Sequence, residues 1–510
     1  MPILATDIAS IKGVGTIEKS FAPVAVNLAP RIALVGCYDN TKTAVVPDVP
    51  VKIISAVDAG TRFGFGSQLH RQAIMAFKGH GGAIEVYAVP VADAQSAAAA
   101  AGTLVFATNA SSAGTYTIYC GSRLAEDVVS VSVASGSTPT AIGDLVEAAI
   151  NANTSLPFTA ENTSGSVALT CKTKGTPGNG YIVTVDTSAA PTGTTLVVTT
   201  PANGTGAPVI TGALAGIHNT SLWFTDITVP EYSTTNTGVA LSVIGNPNTK
   251  TGWYDSQDYR PANVWFAGVT GGSAGLSAAI VVGTAQKSNP NILYVQAPSY
   301  NEEPSEICAY LASVACLNVA QNPAREITRV SLPYLAGPIT AADDWTSEYS
   351  NRNAALIAGL ALVRVDGGVV KFGDMCTTWH PNDNQNLGFK YYINQRKIWN
   401  IAKSIKDSDA SDDYQDRPIV SSVASTLNVS AIDEDIIRAN LVSLVYQWAQ
   451  KAWIYQSDFT INNMTVTKNI SNPDRFDKVI PVILSGNNRV EDTEIQIDRN
   501  TSLSATVEVS

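Results

Sequence analysis

The run Val264-Trp-Phe-Ala-Gly-Val269, Thr-Gly-Gly-Ser-Ala-Gly275, Leu276-Ser-Ala-Ala-Ile-Val-Val-Gly-Thr-Ala-Gln286, Lys-Ser-Asn-Pro-Asn291, Ile292-Leu-Tyr-Val-Gln296 decides the fold class. Its first and last segments are short, unbroken apolar runs, the pattern of strands covered on both faces. The middle segment, opened by glycines, has the length of a helix. Strand, helix and strand in that order predict a largely parallel sheet wrapped by helices. The alternation continues downstream. Residues 305–316 read as a helix, 327–332 as a strand, and 347–360 as a helix. A hairpin follows, 362–365 and 369–372, turning on Asp366-Gly367-Gly368. Upstream, residues 31–36 read as a strand. Phe63-Gly64-Phe65-Gly66 then precedes a helix at 68–77, Gly81-Gly82 and a strand at 83–89. The expected core is α/β, a mixed sheet with flanking helices.

Composition changes near Ala92. Residues 93–215 are rich in Thr, Ser, Gly and Ala, and their basic residues are Arg123, Lys172 and Lys174. Strand candidates recur at 103–108, 115–120, 128–134, 167–171, 181–186 and 195–200, with polar turns such as Thr176-Pro-Gly-Asn-Gly180 between them. One helix, 139–153, interrupts the series. This stretch reads as a β-rich domain inserted into the α/β core, which resumes near Leu222. The expected division is an N-terminal arm at 1–25, a core at 26–92 plus 216–488, the insertion at 93–215, and a C-terminal arm at 489–510. Within the core, a C-terminal module spans about 375–488. It carries two amphipathic helices: Ile398, Ile401, Ala402 and Ile405 share one face, and Ile437, Leu441, Leu444, Trp448, Ala452 and Tyr455 the other, with Ser430 as N-cap.

Both chain ends look extended and uncovered. Ile8, Ile11, Val14 and Ile17 sit among Gly and Ser, too sparse to build a core. At the other end a strand at 479–485 and a turn, Gly486-Asn487-Asn488, precede a tail of alternating character. Val490, Ile495, Ile497, Leu503, Ala505, Val507 and Val509 are separated by polar residues, Gln496 among them. Period-two alternation gives an extended strand one face that needs cover. Two such ends on a large body point to strand addition between copies.

A chain of 510 residues exceeds one ordinary core. Its charged content of 15% is low, which fits a surface largely covered by partners. A net charge of −11, with no basic run, argues against nucleic acid. Six scattered cysteines without CxxC spacing read as buried thiols. The first ten residues lack a signal-peptide pattern, so synthesis in a cytoplasm is expected. The longest apolar stretch, 354–363, is too short to span a bilayer, which argues against membrane insertion.

One motif competes with a structural reading. Gly271-Gly272-Ser273-Ala274-Gly275 matches G-x-S-x-G between a strand and a helix, where Ser273 would be the nucleophile of a hydrolase. His380 lies downstream, with Asp343, Asp344, Asp366 or Asp374 available as the acid. The same pattern also arises as a plain glycine-rich joint. Glu302-Glu303 and Asp343-Asp344 precede helices, where carboxylates complement the helix dipole. The four histidines have no metal-ligand spacing and no phosphate loop is present, so no cofactor is expected.

In the order of its parts the chain resembles the contractile phage tail sheath proteins. The likeness rests on the N-terminal arm, Phe63-Gly64, Phe77 followed by Gly81-Gly82 and the strand at 83–89, an interrupting variable domain, and the closing helices with the alternating arm around Ile495–Ile497. It implies a structural virion subunit, not an enzyme, assembled in the host cytoplasm. Such subunits form stacked, hexameric rings around an inner tail tube, between a baseplate and a tail terminator. Their arms donate strands to neighbours, and contraction drives the tube through the host envelope. The arm residues that the resemblance brings to the interface are Ile11, Val14, Ile17, Val490, Ile495, Gln496, Ile497, Leu503 and Val507.

Overall fold

The computed structural model describes residues 25–381, 388–411, 414–428 and 430–487. The chain opens with strand β1 (Arg31–Cys37), β2 (Val51–Ile53), helices α1 (Ala56–Phe63) and α2 (Gln68–His80), and β3 (Glu85–Val91). There follow β4 (Ala99–Ala107), β5 (Gly114–Cys120), β6 (Val128–Val133), α3 (Pro139–Ala152), β7 (Phe158–Thr163), β8 (Ser166–Lys174), β9 (Val183–Asp186) and β10 (Thr195–Ala202). Next come α4 (Thr211–His218), β11 (Asp226–Thr228), α5 (Thr234–Ile244), β12 (Asn263–Gly268), α6 (Gly272–Ala285), β13 (Ile292–Gln296) and α7 (Pro304–Gln321). The chain continues with α8 (Tyr349–Ile357), the hairpin β14 (Ala361–Asp366) and β15 (Val369–Phe372), and α9 (Tyr392–Asp409). It closes with α10 (Glu434–Gln450), α11 (Ser457–Asn463), β16 (Thr465–Lys468) and β17 (Phe476–Val479).

The main sheet has eight strands in the order β15-β14-β13-β12-β11-β1-β3-β2. From β14 to β3 every pairing is parallel, and β2 and β15 close the edges antiparallel. Side chains alternate between two cores, as the pleat requires. Ile32 and Leu34 of β1 pack with Trp265, Leu293 and α7 on one face. Ala33 and Val35 pack with Phe266, Ile292 and α4 on the other. Burial on both faces explains why β12 and β13 read as continuous apolar runs instead of alternating ones.

Between β3 and α4 the chain forms a lobe with a separate core. A four-stranded sheet, β10-β4-β8-β7, and a three-stranded one, β6-β5-β9, are joined by α3, whose Ile142, Val146 and Ile150 are fully buried. A last layer is built from α9, α10, α11 and the β16–β17 ladder around Trp448, Trp453 and Leu444.

The mixed α/β core and the hairpin on Asp366-Gly367-Gly368 are as expected. Four local expectations are corrected. Residues 327–332 form no regular strand, because Arg329 adopts φ 73°; the segment instead touches β15 through Leu332 and Arg329 N–H groups, which donate to Val370 and Phe372 carbonyls. The strand placed at 479–485 ends at Val479, since Pro481 lacks a ladder donor. Asp433, not Ser430, caps α10 by accepting from the Ile436 N–H at 3.0 Å. The apolar face of α10 stops at Trp448, for Ala452 lies beyond the helix at φ 54° and Tyr455 is exposed.

Candidate functional site

Chemistry in an open α/β sheet belongs at the carboxyl ends of its strands, where the chain switches direction. Here that switch lies between β1 and β11, since the chain proceeds from β1 to β3 on one side and through β11 to β14 on the other. The crevice is filled by protein. Gln68, the first residue of α2, accepts from Cys37 N–H at 3.1 Å and donates to the Pro230 carbonyl at 2.8 Å and to Ser305 Oγ at 3.2 Å. Above it sits the lobe: Gln68 N–H donates to Thr173 Oγ1 at 3.1 Å. Gly66, at φ 79°, lies so close under the lobe that a Cβ there would come within 2.2 Å of the Leu156 carbonyl.

Beneath the lobe lies an ion cluster without a path to water. Arg71 of α2 is bidentate to Glu306, Nε and Nη2 each 2.9 Å from a carboxylate oxygen. The same guanidinium holds both oxygens of Asp127, with Nη2 at 2.6 Å. Ser122 also donates to Asp127. Arg71, Asp127 and Glu306 are all at most 1% exposed. Glu303 caps α7 by accepting from the N–H groups of Ser305 at 2.9 Å and Glu306 at 3.2 Å. Burial, followed by the charge of Glu306, pushes Glu303 up to about 8. Burial lifts Glu302 to about 7.

A second buried hub ties α9 to the sheet. Asp226 of β11 accepts from Arg396 Nη2 at 2.5 Å, Trp265 Nε1 at 2.9 Å and Thr225 Oγ1 at 2.8 Å. The Arg396 guanidinium stacks over the rings of Tyr392 and Trp399. Neither cluster was recognised from the sequence. The dipole role assigned to Glu302-Glu303 captured the cap on α7 but not the burial. The available signal was weak, Arg71 standing beside Leu69, Ala73 and Ile74 in a helix that also carries His70, Gln72 and Lys78.

The hydrolase constellation is not assembled. Ser273 is exposed in the first turn of α6. His380 is buried at the opposite end of that helix, its N–H donating to the Lys287 carbonyl at 2.9 Å and its ring meeting the Thr378 carbonyl at 2.8 Å. From Ser273 to Ala285 the helix rises about 18 Å, far beyond the hydrogen-bond reach that a nucleophile and base require. Of the candidate acids, Asp343 lies beside Gly271, whereas Asp366 is on the hairpin turn with Lys371 and Arg364. A depression of about 530 Å³ between the 41–51 loop and α1 is lined mainly by Val45, Val49, Val51 and Phe63, with Lys42 and Arg62; no acid, histidine or cysteine lines it. Among the described residues no group of metal-ligating side chains occurs, and no helix is long and apolar enough to cross a membrane. All six cysteines are buried, and burial pushes the thiols of Cys120 and Cys171 up to about 12.

Both ends of the described chain come to the same layer. Ala25 N–H donates to Gln447 Oε1 at 2.8 Å, Leu28 N–H to Asn400 Oδ1 at 2.7 Å, and Lys451 Nζ to Asn27 Oδ1 at 3.2 Å. At the other end Lys397 Nζ donates to the Ser485 carbonyl at 2.7 Å and to Asn487 Oδ1 at 2.9 Å, while Asn487 Nδ2 donates to the Ala324 carbonyl at 2.8 Å. Burial brings Lys397 down to about 8. Thus α9 and α10 grip the chain at both ends. Beside them β16 and β17 pair only with each other among the described residues. The expected interface residues Ile11, Val14, Ile17, Val490, Ile495, Gln496, Ile497, Leu503 and Val507 lie outside the described residues.

These features define a doubly wound α/β protein whose ligand crevice is filled and whose described stretch begins and ends on one helical layer. In sequence it is similar to the Mu-like prophage FluMu tail sheath protein of Haemophilus influenzae, with 24% identity over 322 residues covering 62% of this chain. The chain spans about 61% of the length of that relative. No protein-family model matches. Solved structures to which it is similar include a sheath tail protein from Desulfitobacterium hafniense, 12% identical, with a TM-score of 0.45 over 92% of this chain and 100% of the other. A chain of the anti-feeding prophage baseplate in its contracted state is 11% identical, with a TM-score of 0.46 over 98% of this chain and 100% of the other.

Proposed function

We propose that this chain is the structural subunit of a contractile tail sheath. Copies stack as hexameric rings around an inner tail tube, between a baseplate and a terminator, and contraction drives the tube through a host envelope. The domain division carries over: arms at 1–25 and 489–510, a core at 26–92 plus 216–488, and an outward-facing insertion at 93–215. Residues Ile11, Val14, Ile17, Val490, Ile495, Gln496, Ile497, Leu503 and Val507 pair with neighbouring copies. The protein works in the virion and performs no catalysis.

The observation that carries this reading is the grip of α9 and α10 on the chain at both Ala25 and Asn487, beside a ladder that has two strands among the described residues. A lone two-stranded ladder is marginal in water and gains from added strands. Arms leaving one layer can therefore exchange with the same layer of a neighbour, and backbone pairing survives rigid-body rotation because the connections bend while the ladder holds. The sequence similarity to a tail sheath protein supports the same reading. Deleting residues 489–510 is expected to leave a folded subunit that sediments as a small species, whereas the full chain forms fast-sedimenting assemblies. Assembly undiminished by the deletion would contradict strand exchange through this arm.

A further inference from the structure

The seam between lobe and core holds more carboxyl groups than cations. From the core, α2 supplies Arg71, and the start of α7 supplies Glu302, Glu303 and Glu306, with the thiol of Cys308 behind them. From the lobe come Asp127, the phenol of Tyr181 and the thiol of Cys171. Lys78 sits at the outer rim and is engaged by Glu126 of the lobe at 2.6 Å. The buried set is thus four carboxyl groups around one guanidinium. Fully ionised, it would carry three uncompensated negative charges in a dry interior, a condition proteins avoid by retaining protons.

Geometry singles out Glu303 as the keeper of such a proton. Arg71 spends its donors on Asp127 and Glu306, so Glu303, like Glu302, has no cationic partner among the described residues. It also lies directly under the lobe: a Cβ on Gly180 would come within 3.2 Å of the Glu303 Cγ and 2.9 Å of the Pro304 Cδ. We infer that the lobe is fastened to the core by one guanidinium shared between Asp127 and Glu306, and that the fastening weakens as rising pH strips the proton from the adjoining Glu303.

The direction follows from linkage. Glu303 has a folded value near 8 against an ordinary 4.5, so it binds its proton more tightly in the closed seam than in the open one. Its stabilisation is fully present below pH 4.5, declines between 4.5 and 8, and is gone above. Between pH 6 and pH 9 the opening equilibrium of the seam should rise by about one to two orders of magnitude.

Amide hydrogen exchange of the full chain, corrected for intrinsic chemical rates, reads this at residues 122–128 and 173–181. The expected result is protection that falls tenfold or more from pH 6 to pH 9 in the native protein, and Glu303→Gln removes most of that dependence. A flat native profile, or the same profile in Glu303→Gln, would overturn the inference. Should that variant not fold, infrared difference spectroscopy of Glu302→Gln, which removes the neighbouring carboxyl lifted to about 7, decides: the carbonyl stretch of a protonated buried carboxyl is expected at pH 6 and mostly lost by pH 9, and its absence at pH 6 would overturn the inference. Neither readout depends on assembly, so failure here would leave the sheath reading standing.

Discussion

At the scale of residues, the buried charges outrank the exposed serine. Arg71→Met would strand Asp127 and Glu306 in the interior, and truncating one partner of a buried ion pair costs about 3–5 kcal/mol. Urea denaturation followed by tryptophan fluorescence should show that loss. Ser273→Ala, at an exposed helix start, should change stability by less than about 0.5 kcal/mol. Native protein should not be labelled at Ser273 by a fluorophosphonate, since His380 lies at the far end of α6; stoichiometric labelling there would contradict this. A pattern such as G-x-S-x-G specifies a local turn, which the sequence shows. Its catalytic meaning rests on where His380 falls, and that depends on packing some 100 residues downstream. For the same reason Arg71 could not be matched to Asp127 and Glu306, which come from separate elements.

At the scale of elements, the strongest signals were uninterrupted apolar runs and tight turns. Strands β12 and β13, helix α7 and the β14–β15 hairpin were legible because burial on both faces or a Gly-Gly turn leaves a plain mark. Strand β11 was not, for it has three residues and opens on the charged hub Asp226. Helix α5, with Thr, Asn and Gly among its residues, also lacks helical periodicity. In α10 the cap was misplaced by three residues because serine and aspartate serve equally well there. The grip on the C-terminal end is an element-scale device with its own test. Lys397→Met removes the donor to Ser485 and Asn487. Limited proteolysis should then cut faster near residue 485, while the main sheet keeps its protection. An unchanged cleavage rate would mean that Lys397 does not secure this end.

At the scale of the whole molecule, two facts bear on function together. The crevice that α/β enzymes leave open is filled by Gln68 and roofed by the lobe, and both ends of the described chain lie beside a ladder whose two strands pair only with each other among the described residues. The sequence carries an alternating pattern at its C-terminal end, legible because period-two patterning needs no tertiary context, on residues that lie outside the described ones. It could not disclose the filled crevice, which exists only once the lobe folds back over α2 and α7. Association between copies is open to direct inspection by negative-stain electron microscopy of the purified full chain. Tubes or stacked rings that vanish on removal of residues 489–510 are the expected result. A field of separate single subunits, at concentrations well above micromolar, would contradict it.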